Sequence, residues 1–360
     1  MSKKVALGMS GGVDSSLCAH LLKEQGYDVT GVFLECWRAP GCRTDQDRKD
    51  ALKIALKLDI PFQVLDFKQT YHDKVVKYFF KEYQAGRTPN PDVMCNKEIK
   101  FGLFYDWAMK NNFDYVATGH YAKTQNGQLL TPKDVWKDQT YFLYLLTEKQ
   151  LKHILFPLAN LTKKEVRIEA KKRGIHVASK PDSVGICFIG DIDVRKFLKE
   201  GLGEKPGEVI DTQSNVIGTH NGIWFYTIGQ RHGFTLKSST SIKQSDGLMI
   251  ERTNLPPFYV ISKDAKKNQL VVGSNTVAYQ GNFLLSELHL INQSEKLPTK
   301  LLVRIRHTGE MMPAQLRNKD KNYLIKLQKP ARGIATGQSA VFYQKINDNN
   351  FQCLGGGIIY

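Results

Sequence analysis

The stretch that decides the fold of the first half of the chain is Val5-Ala6-Leu7-Gly8-Met9-Ser10-Gly11-Gly12-Val13-Asp14-Ser15. Residues 5–9 have the apolar composition of a buried strand, and residues 15–25 carry leucines at helical spacing. The glycine-rich turn therefore lies between a strand and a helix. Glycine lets backbone N–H groups approach an anion closely, and the start of a helix adds the positive end of its dipole. The stretch predicts a phosphate-binding loop, although a generic glycine turn is the alternative.

The sequence around this loop repeats the alternation of strand and helix. A helical pattern runs from about 45 to 58, and the predicted strands are 5–9, 29–34, 62–66 and 115–119. This rhythm is typical of a parallel sheet covered by helices on both faces. Ligands of such folds bind beyond the carboxyl ends of the strands. We expect residues 1–200 to form this α/β domain.

The pattern changes after about Gly201. From there to Tyr360 the sequence has strand-length apolar runs separated by Gly, Asn and Asp, and long helical periodicity is lacking. We predict a small β-rich central domain over 201–279 and a C-terminal β-barrel over 280–360. The length of 360 residues agrees with two or three domains.

The charge of the chain bears on its partners. The formal net charge is +16, and residues 301–360 contain nine Lys or Arg against three Asp or Glu, a net of +6. A basic C-terminal module is expected of a protein that binds a polyanion such as RNA, although a generally Lys-rich proteome would also raise the charge.

Two further patterns bear on location. No run of eighteen apolar residues is present, which excludes a membrane-spanning helix. The apolar stretch after Met1-Ser2-Lys3-Lys4 is too short for a signal peptide, and no cleavage site follows it. We expect a cytoplasmic protein with no membrane partner.

The cysteines give no metal-binding pattern. None of the six forms a CxxC pair, and no nearby histidine completes a zinc site; they are Cys18, Cys36, Cys42, Cys95, Cys187 and Cys353. Isolated cysteines are most often packed as small apolar residues. Cys95, however, follows two prolines and stands near Asp92 and Lys97, and a nearby lysine or helix start lowers a thiol pKa. Cys187 follows a proline-containing loop and is flanked by glycines.

The loop at 8–15 lacks the Lys-Ser/Thr pair that ends a Walker A motif, and its SGGxDS string resembles the PP-loop ATP pyrophosphatases. That resemblance implies that ATP, with Mg²⁺, is split between its α- and β-phosphates and that a substrate oxygen is adenylated. Leu34 and Gly119 end two predicted strands. The base and ribose of ATP would bind there, or the two residues would merely contribute to packing of the sheet. The expected ATP contacts are Gly8, Met9, Ser10, Gly11, Gly12, Val13, Asp14, Ser15, Leu34 and Gly119.

Five strings extend the resemblance to the whole chain. They are NPDxxCNxxIKF at 90–101, TGHYA at 118–122, KDQTYFL at 137–143, GICFIG at 185–190 and YTIGQRHG at 226–233. Together they resemble the bacterial and organellar tRNA-specific 2-thiouridylase family. The resemblance implies an adenine nucleotide alpha hydrolase-like PP-loop domain, then a small central domain and a C-terminal β-barrel. It also implies 2-thiolation of the wobble uridine at position 34 of tRNA, expected in tRNAs for Lys, Glu and Gln.

The resemblance also assigns site residues. Cys95 corresponds to the catalytic nucleophile, Cys187 to the cysteine that receives sulfur as a persulfide, and Asp92 to an acid/base residue. Asn90, Pro91 and Asp92 form the element that touches the target base. The expected tRNA contacts are His120, Lys137, Asp138, Gln139, Arg304, Ile305 and Gln338. Ile305 replaces an aromatic residue usual in the family, which argues against a stacking contact there.

The implied chemistry is coherent. Adenylation converts O2 of uridine into AMP, a stable leaving group, and the loop holds the phosphates as charge develops. A persulfide on Cys187, supplied by a sulfur-relay donor protein, provides sulfur, and attack by Cys95 leaves a Cys95–Cys187 disulfide. Whether the persulfide or released hydrosulfide attacks C2 stays open. No iron–sulfur cluster and no zinc are expected.

Three other functions compete with this one. A PP-loop amide-forming ligase would need an ammonia source, and no glutaminase begins at Met1. A non-catalytic RNA-binding protein would have no need for the SGGxDS string and both cysteines. An iron–sulfur tRNA thiolase normally needs clustered cysteines.

Overall fold

The structure is a computed structural model that describes residues 2–38, 42–182, 185, 187, 193–237, 240–243, 249–252, 257–274, 279–294, 297–319 and 322–360. Of the string at 185–190, Gly185 and Cys187 are among the described residues, and the others lie outside them. None of the helices in these ranges is long and apolar enough to cross a membrane.

The helices lie almost entirely in the first 202 residues. They are α1 (Val13–Glu24), α2 (Thr44–Lys57), α3 (Lys68–Tyr71), α4 (Lys77–Gln84), α5 (Pro91–Cys95), α6 (Phe104–Lys110), α7 (Glu148–Leu151), α8 (Lys163–Lys172) and α9 (Val194–Leu202). Two π-helical segments, His72–Val76 and Asn96–Leu103, join α3 to α4 and α5 to α6. Short 3-10 turns occur at Thr140–Phe142 and Ile223–Phe225.

The strands of the first half and of the central region are β1 (Lys4–Gly8), β2 (Asp28–Glu35), β3 (Phe62–Asp66), β4 (Tyr115–Ala117), β5 (Lys123–Gln125), β6 (Gln128–Leu130), β7 (Ile154–Leu155), β8 (Gly207–Ile210), β9 (Val216–His220), β10 (Thr235–Leu236), β11 (Thr240–Lys243), β12 (Met249–Arg252), β13 (Tyr259–Asp264) and β14 (Gln269–Gly273). The remaining strands are β15 (Tyr279–Leu290), β16 (Lys300–Arg304), β17 (Met312–Lys319), β18 (Asn322–Arg332), β19 (Ser339–Asn347) and β20 (Asn350–Ile359).

A five-stranded parallel sheet forms the centre of the first half, with the order β3-β2-β1-β4-β7. Side chains alternate across β1, so Val5 and Leu7 pack against α1, α2 and α8, whereas Ala6 faces the other core, which contains Ile99 and Phe104. Both faces of the sheet are therefore covered, as the apolar strands predict. The expected parallel sheet is confirmed, with strand ends within about two residues of those predicted.

The central region is a second, smaller β structure. Its five strands have the order β10-β9-β8-β14-β13, in which β8 and β14 are parallel and the other pairs antiparallel. β11 and β12 form a separate antiparallel pair. The predicted change to β structure after Gly201 is confirmed, and the exact boundaries at 200 and 279 stay predictions.

The C-terminal strands close into an antiparallel barrel. The order is β15-β18-β17-β16-β19-β20, and β15 also pairs with β20, which closes the ring. Its interior is an apolar cluster that includes Leu285, Val303, Ile325 and Phe342. The predicted barrel is confirmed.

One feature of the barrel was missed in the sequence. The hairpin β5–β6 belongs to the first half of the chain, but β6 pairs with β20 through Leu129 and Leu130 opposite Cys353 and Gln352. The barrel sheet thus extends to eight strands and connects directly to the α/β region. The two halves share one sheet, so the barrel is held against the α/β region.

Candidate active site

The glycine-rich loop follows β1 and leads into α1. Gly11 has φ +72°, and a Cβ at this position would lie 2.1 Å from the backbone oxygen of Asp47, so only glycine fits. The Ser10 N–H donates to Ser15 Oγ at 3.1 Å, and no side chain caps the start of α1 at Gly12. An uncapped N-terminus of a twelve-residue helix beside a glycine turn suits a phosphate group.

A network of ion pairs surrounds this loop at Asp14. The Asp14 carboxylate accepts from Lys163 Nζ at 2.8 Å and from the Tyr121 hydroxyl at 2.9 Å. Lys163 also lies 2.9 Å from Asp182, which pairs with Lys137 at 2.9 Å. Burial opposes ionisation of Asp182, but its hydrogen bonds from Lys137 and Lys163 outweigh this and lower its pKa to about 2.

A second cation, Lys180, also contacts the loop. Lys180 Nζ donates to the backbone oxygen of Gly11 at 2.8 Å and to Asp47 and Asp50 at 2.7 Å each. Lys163 and Lys180 were missed in the sequence, because they lie about 150 residues or more after the loop. Their ammonium groups could compensate phosphate charge, since each lies against a residue of the loop.

Gly119 and Leu34 lie at the same edge of the sheet as the loop. A Cβ at Gly119 would lie 3.0 Å from Ser15 N and 3.1 Å from Asp14 Cβ, so the chain after β4 packs tightly against the start of α1. Leu34 is buried near the end of β2. Both positions agree with a nucleotide site at the carboxyl edge, and their contacts to ATP stay predictions.

The two predicted catalytic cysteines are in contact. Cys95 is the last residue of α5, and its thiol donates to Cys187 Sγ at 3.5 Å, although the two residues are 92 positions apart. The backbone of Cys187 is held on both sides. Its N–H donates to Asp92 Oδ1 at 2.9 Å, and its carbonyl accepts from the Tyr71 hydroxyl at 2.5 Å. The structure therefore brings Cys95, Cys187 and Asp92 into one site.

The proline loop positions Cys95. Asn90 is the N-cap of α5, where its side chain accepts from the Val93 N–H at 3.2 Å, and Pro91 occupies the first helical position. Gln338 of the barrel donates to the backbone oxygens of Thr88 and Pro89 at 3.1 and 3.4 Å. A residue of the barrel thus supports the loop that precedes α5.

The thiols differ in their ionisation. Burial raises the pKa of Cys95 well above its usual value. The hydrogen bond that Cys95 donates to Cys187, assisted by the nearby Lys100 ammonium, lowers the pKa of Cys187 below its usual value. Burial also raises the pKa of Asp92, against the opposing effect of its hydrogen bond from the Cys187 N–H. Cys187 is therefore the thiol that ionises first.

The lysine beside the sulfur atoms is Lys100, not Lys97. Lys97 is half exposed and lies 3.4 Å from Glu98, so proximity in sequence misidentified the cation near Cys95. Burial opposes the charge of Lys100, but the nearby sulfur atoms of Cys187 and Cys95 outweigh this and raise its pKa.

Two of the expected tRNA contacts bind each other across the halves of the chain. Arg304 of β16 donates to Asp138 Oδ2 at 2.7 Å, and Asp138 is only 3% exposed. Ile305 is buried, and its backbone oxygen accepts from the Tyr141 hydroxyl at 3.3 Å. In this structure these residues join the barrel to the α/β region, and their contacts to tRNA stay predictions.

The other expected tRNA contacts differ in exposure. His120 is 8% exposed, and its imidazole hydrogen-bonds Thr118 at 2.7 Å and Lys100 at 3.4 Å. The Gln139 side chain accepts from the Tyr121 N–H at 2.9 Å, and Lys137 is half-buried against Asp182. Direct contact of His120 with tRNA stays a prediction.

Comparison with known proteins gives the family. Models described as tRNA methyl transferase HUP domain, tRNA methyl transferase PRC-barrel domain and Aminomethyltransferase beta-barrel domain match residues 3–191, 195–274 and 280–359. The tRNA-specific 2-thiouridylase MnmA of Limosilactobacillus reuteri is 42% identical over 99% of this chain and 95% of that protein. The chain belongs to the tRNA-specific 2-thiouridylase family. Relatives of the same name from Listeria monocytogenes and Lactobacillus johnsonii are 42% and 41% identical, over 99% of this chain and 94% and 95% of theirs.

Membership in the 2-thiouridylase family confirms the resemblance that the five strings carry. The three matched segments contain, in order, the parallel sheet, the central strands and the closed barrel. In the described part of the chain, no group of three or more His, Cys, Asp or Glu side chains could hold a metal ion.

Proposed function

We propose that this chain is an ATP-dependent tRNA uridine 2-sulfurtransferase that makes 2-thiouridine at wobble position 34. The observation that carries the proposal is the contact of Cys95 and Cys187, at 3.5 Å, in the α/β region that holds the SGGxDS loop. Family membership supports the same reaction. An amide-forming ligase gives no role to paired thiols.

The first half-reaction activates the uridine. The N–H groups at the start of α1 hold the phosphates of ATP, and O2 of uridine attacks the α-phosphate, so that pyrophosphate leaves. Lys163 and Lys180 lie against the loop and compensate the charge of the phosphates. Mg²⁺ would arrive with ATP, because it keeps the phosphates of its substrate as ligands and needs only one or two carboxylates from the protein. Asp14 is the carboxylate that the loop would offer to it.

The second half-reaction moves sulfur. A donor protein with a persulfide places sulfur on Cys187, and this terminal sulfur attacks C2 while AMP departs with the electron pair of the C2–O bond. Cys95, deprotonated, then attacks Sγ of Cys187. The Cys95–Cys187 bond forms, the old S–S bond breaks, and its electron pair stays on the sulfur of 2-thiouridine. If Cys95 attacks first, the same bonds change and hydrosulfide is the species that reaches C2.

The geometry favours this exchange. A disulfide has sulfur atoms about 2.05 Å apart, so Cys95 needs to move only about 1.5 Å toward Cys187. Asp92 is the acid/base candidate, because it contacts the backbone of Cys187 and burial raises its pKa. The cycle uses two thiols and an external reductant, and it requires neither an iron–sulfur cluster nor zinc.

The partner is tRNA, and tRNAs for Lys, Glu and Gln are the proposed acceptors. The net charge of +6 over residues 301–360 suits a phosphate backbone. Because β6 pairs with β20 and Arg304 pairs with Asp138, a tRNA bound to the barrel is held in a fixed position relative to the catalytic half.

The test is nucleoside analysis by mass spectrometry after incubation of unmodified tRNA with the protein, ATP and a protein persulfide donor. The native chain should form 2-thiouridine together with AMP and pyrophosphate. Cys95→Ser and Cys187→Ser should still form AMP with tRNA but no 2-thiouridine, and the control Cys353→Ala, in the barrel, should match the native chain. Formation of 2-thiouridine at the native rate by either serine variant would refute the proposal.

A further inference from the structure

Lys100 owes its position to an unusual helix. It follows Cys95 by five residues, and in an α-helix this spacing turns a side chain away by about 140°. Here the segment Asn96–Leu103 is π-helical, with more residues in each turn, and it begins directly after Cys95. Five positions then correspond to about one turn, so Lys100 returns to the side of the helix that carries the thiol.

The contacts of Lys100 are with groups that accept hydrogen bonds. Its Nζ lies 3.4 Å from His120 Nε2, and its charge interacts with the sulfur atoms of Cys187 and Cys95. Burial, followed by the charge of Lys100, lowers the pKa of His120 well below its usual value, so the imidazole is neutral. Because a lysine ammonium only donates, Nε2 of His120 accepts, and Nδ1 donates to Thr118 Oγ1 at 2.7 Å. His120 thus orients the ammonium toward the sulfur.

We propose that Lys100 is a catalytic residue of sulfur transfer, whose ammonium group binds the anionic sulfur on Cys187, with His120 as its positioning residue. This inference rests on the proposed function. It gives a role to a residue of the 90–101 string beyond the cysteine and the target-base element. It also gives buried His120 a role that does not require contact with tRNA.

The charge balance of the reaction explains why a cation is needed there. A persulfide on Cys187 carries its negative charge on the terminal sulfur. When Cys95 attacks Sγ, the S–S electron pair passes to that departing sulfur, while the Cys95–Cys187 bond forms. Lys100 neutralises the anion in both states and changes no bond itself. Oriented charge of this kind is most effective where water is excluded.

The groups that face Cys187 set its ionisation. They are Cys95 and Asp92 from α5, Lys100 from the π-helical segment, Cys36 after β2 and Tyr71 at the end of α3. Among them Lys100 is the cation. Its removal should therefore raise the pKa of Cys187, since the thiolate loses a stabilising charge.

The experiment compares Lys100→Met with Lys100→Arg, which keeps the charge, and with Lys97→Met, which removes a half-exposed lysine of the same segment. The first readout is the rate of Cys187 alkylation by iodoacetamide against pH, mapped by mass spectrometry, without tRNA or sulfur donor. With Lys100→Met the alkylation curve should move to higher pH, and the rate at pH 7 should fall severalfold, up to about tenfold for a pKa rise of about one unit. Lys97→Met should follow the native curve, and Lys100→Arg should recover most of the rate.

The second readout separates sulfur transfer from adenylation. Lys100→Met should form AMP from ATP and tRNA within about twofold of the native rate, but 2-thiouridine should form at least tenfold more slowly. A native alkylation curve and native thiolation in Lys100→Met would overturn the proposal. An equal loss of AMP and 2-thiouridine would overturn it too, since it would indicate a general structural role. Failure of the native chain itself to form 2-thiouridine would refute the proposed function, while the alkylation curve would still report on Lys100.

Discussion

Oxidation of the reduced protein should join Cys95 to Cys187 and stabilise the catalytic half. The two sulfur atoms are already 3.5 Å apart, and the bond would cross-link positions 92 residues apart. Constraint of a loop of this size in the unfolded chain is worth about 4.6 kcal/mol in the chain-entropy model. Since the two halves share one sheet, the chain is expected to unfold as one unit, in which an unfolding entropy of about 2.1 cal/mol/K per residue makes 1 kcal/mol worth about 1.3 °C of melting temperature. We expect an increase of about 3–6 °C after allowance for strain in the native state.

The assay is differential scanning calorimetry of the chain before and after diamide treatment, with peptide mapping of the bond formed. Cys95→Ser and Cys187→Ser should show no increase, and Cys353→Ala should behave as the native chain. Cys36 is the competing thiol, because it is buried near Cys187 and interacts with it. A Cys36–Cys187 bond, or a Cys95–Cys187 bond without any increase in melting temperature, would refute the reasoning.

Three further predictions concern ATP, acid and salt. Asp14→Ala should reduce tRNA-dependent AMP formation at least about a hundredfold, because Lys163 and Tyr121 lose their carboxylate partner in the loop. A normal rate of AMP formation would contradict the assignment of residues 8–15 as the phosphate-binding loop. The folded state lowers the pKa of Asp182 to about 2. Its ionised carboxylate therefore stabilises the folded state above the unfolded pKa of about 3.9, and this stabilisation is lost as pH falls toward 2. The melting temperature should therefore fall between pH 4 and pH 2 less steeply in Asp182→Asn than in the native chain, and identical slopes would contradict this. The affinity of the whole chain for tRNA, measured by filter binding, should fall at least about tenfold from about 50 to about 200 mM salt, and a salt-independent affinity would indicate another partner.

The parts of the fold that could be predicted from sequence depend on local pattern. The apolar run at 5–9 and the glycines at 11 and 12 identify a strand and a tight turn from nearby residues alone. The change to β structure after Gly201 is equally local, and all three are confirmed. In contrast, the strands β5 and β6 have three residues each, and pairing with β20 more than 220 positions later is what makes them part of the barrel sheet.

The candidate site likewise contains residues that the sequence indicates and residues that it does not. Cys95 and Cys187 were predicted as a pair because family strings contain both, since spacing alone would leave each as a packed apolar residue. Lys100 was missed because helical periodicity assumes 3.6 residues per turn, and the π-helical turn after Cys95 breaks that assumption. The pairing of Asp138 with Arg304, 166 positions apart, depends on how the barrel docks, which no local pattern indicates.

The most direct test of the two-thiol mechanism is a single turnover without reductant. The chain would be loaded with one sulfane sulfur on Cys187 and mixed with ATP and unmodified tRNA, and mass spectrometry would count 2-thiouridine and disulfide together. The account predicts one Cys95–Cys187 disulfide for each 2-thiouridine formed. Formation of 2-thiouridine in amounts equal to the enzyme, with Cys95 still a thiol, would contradict it.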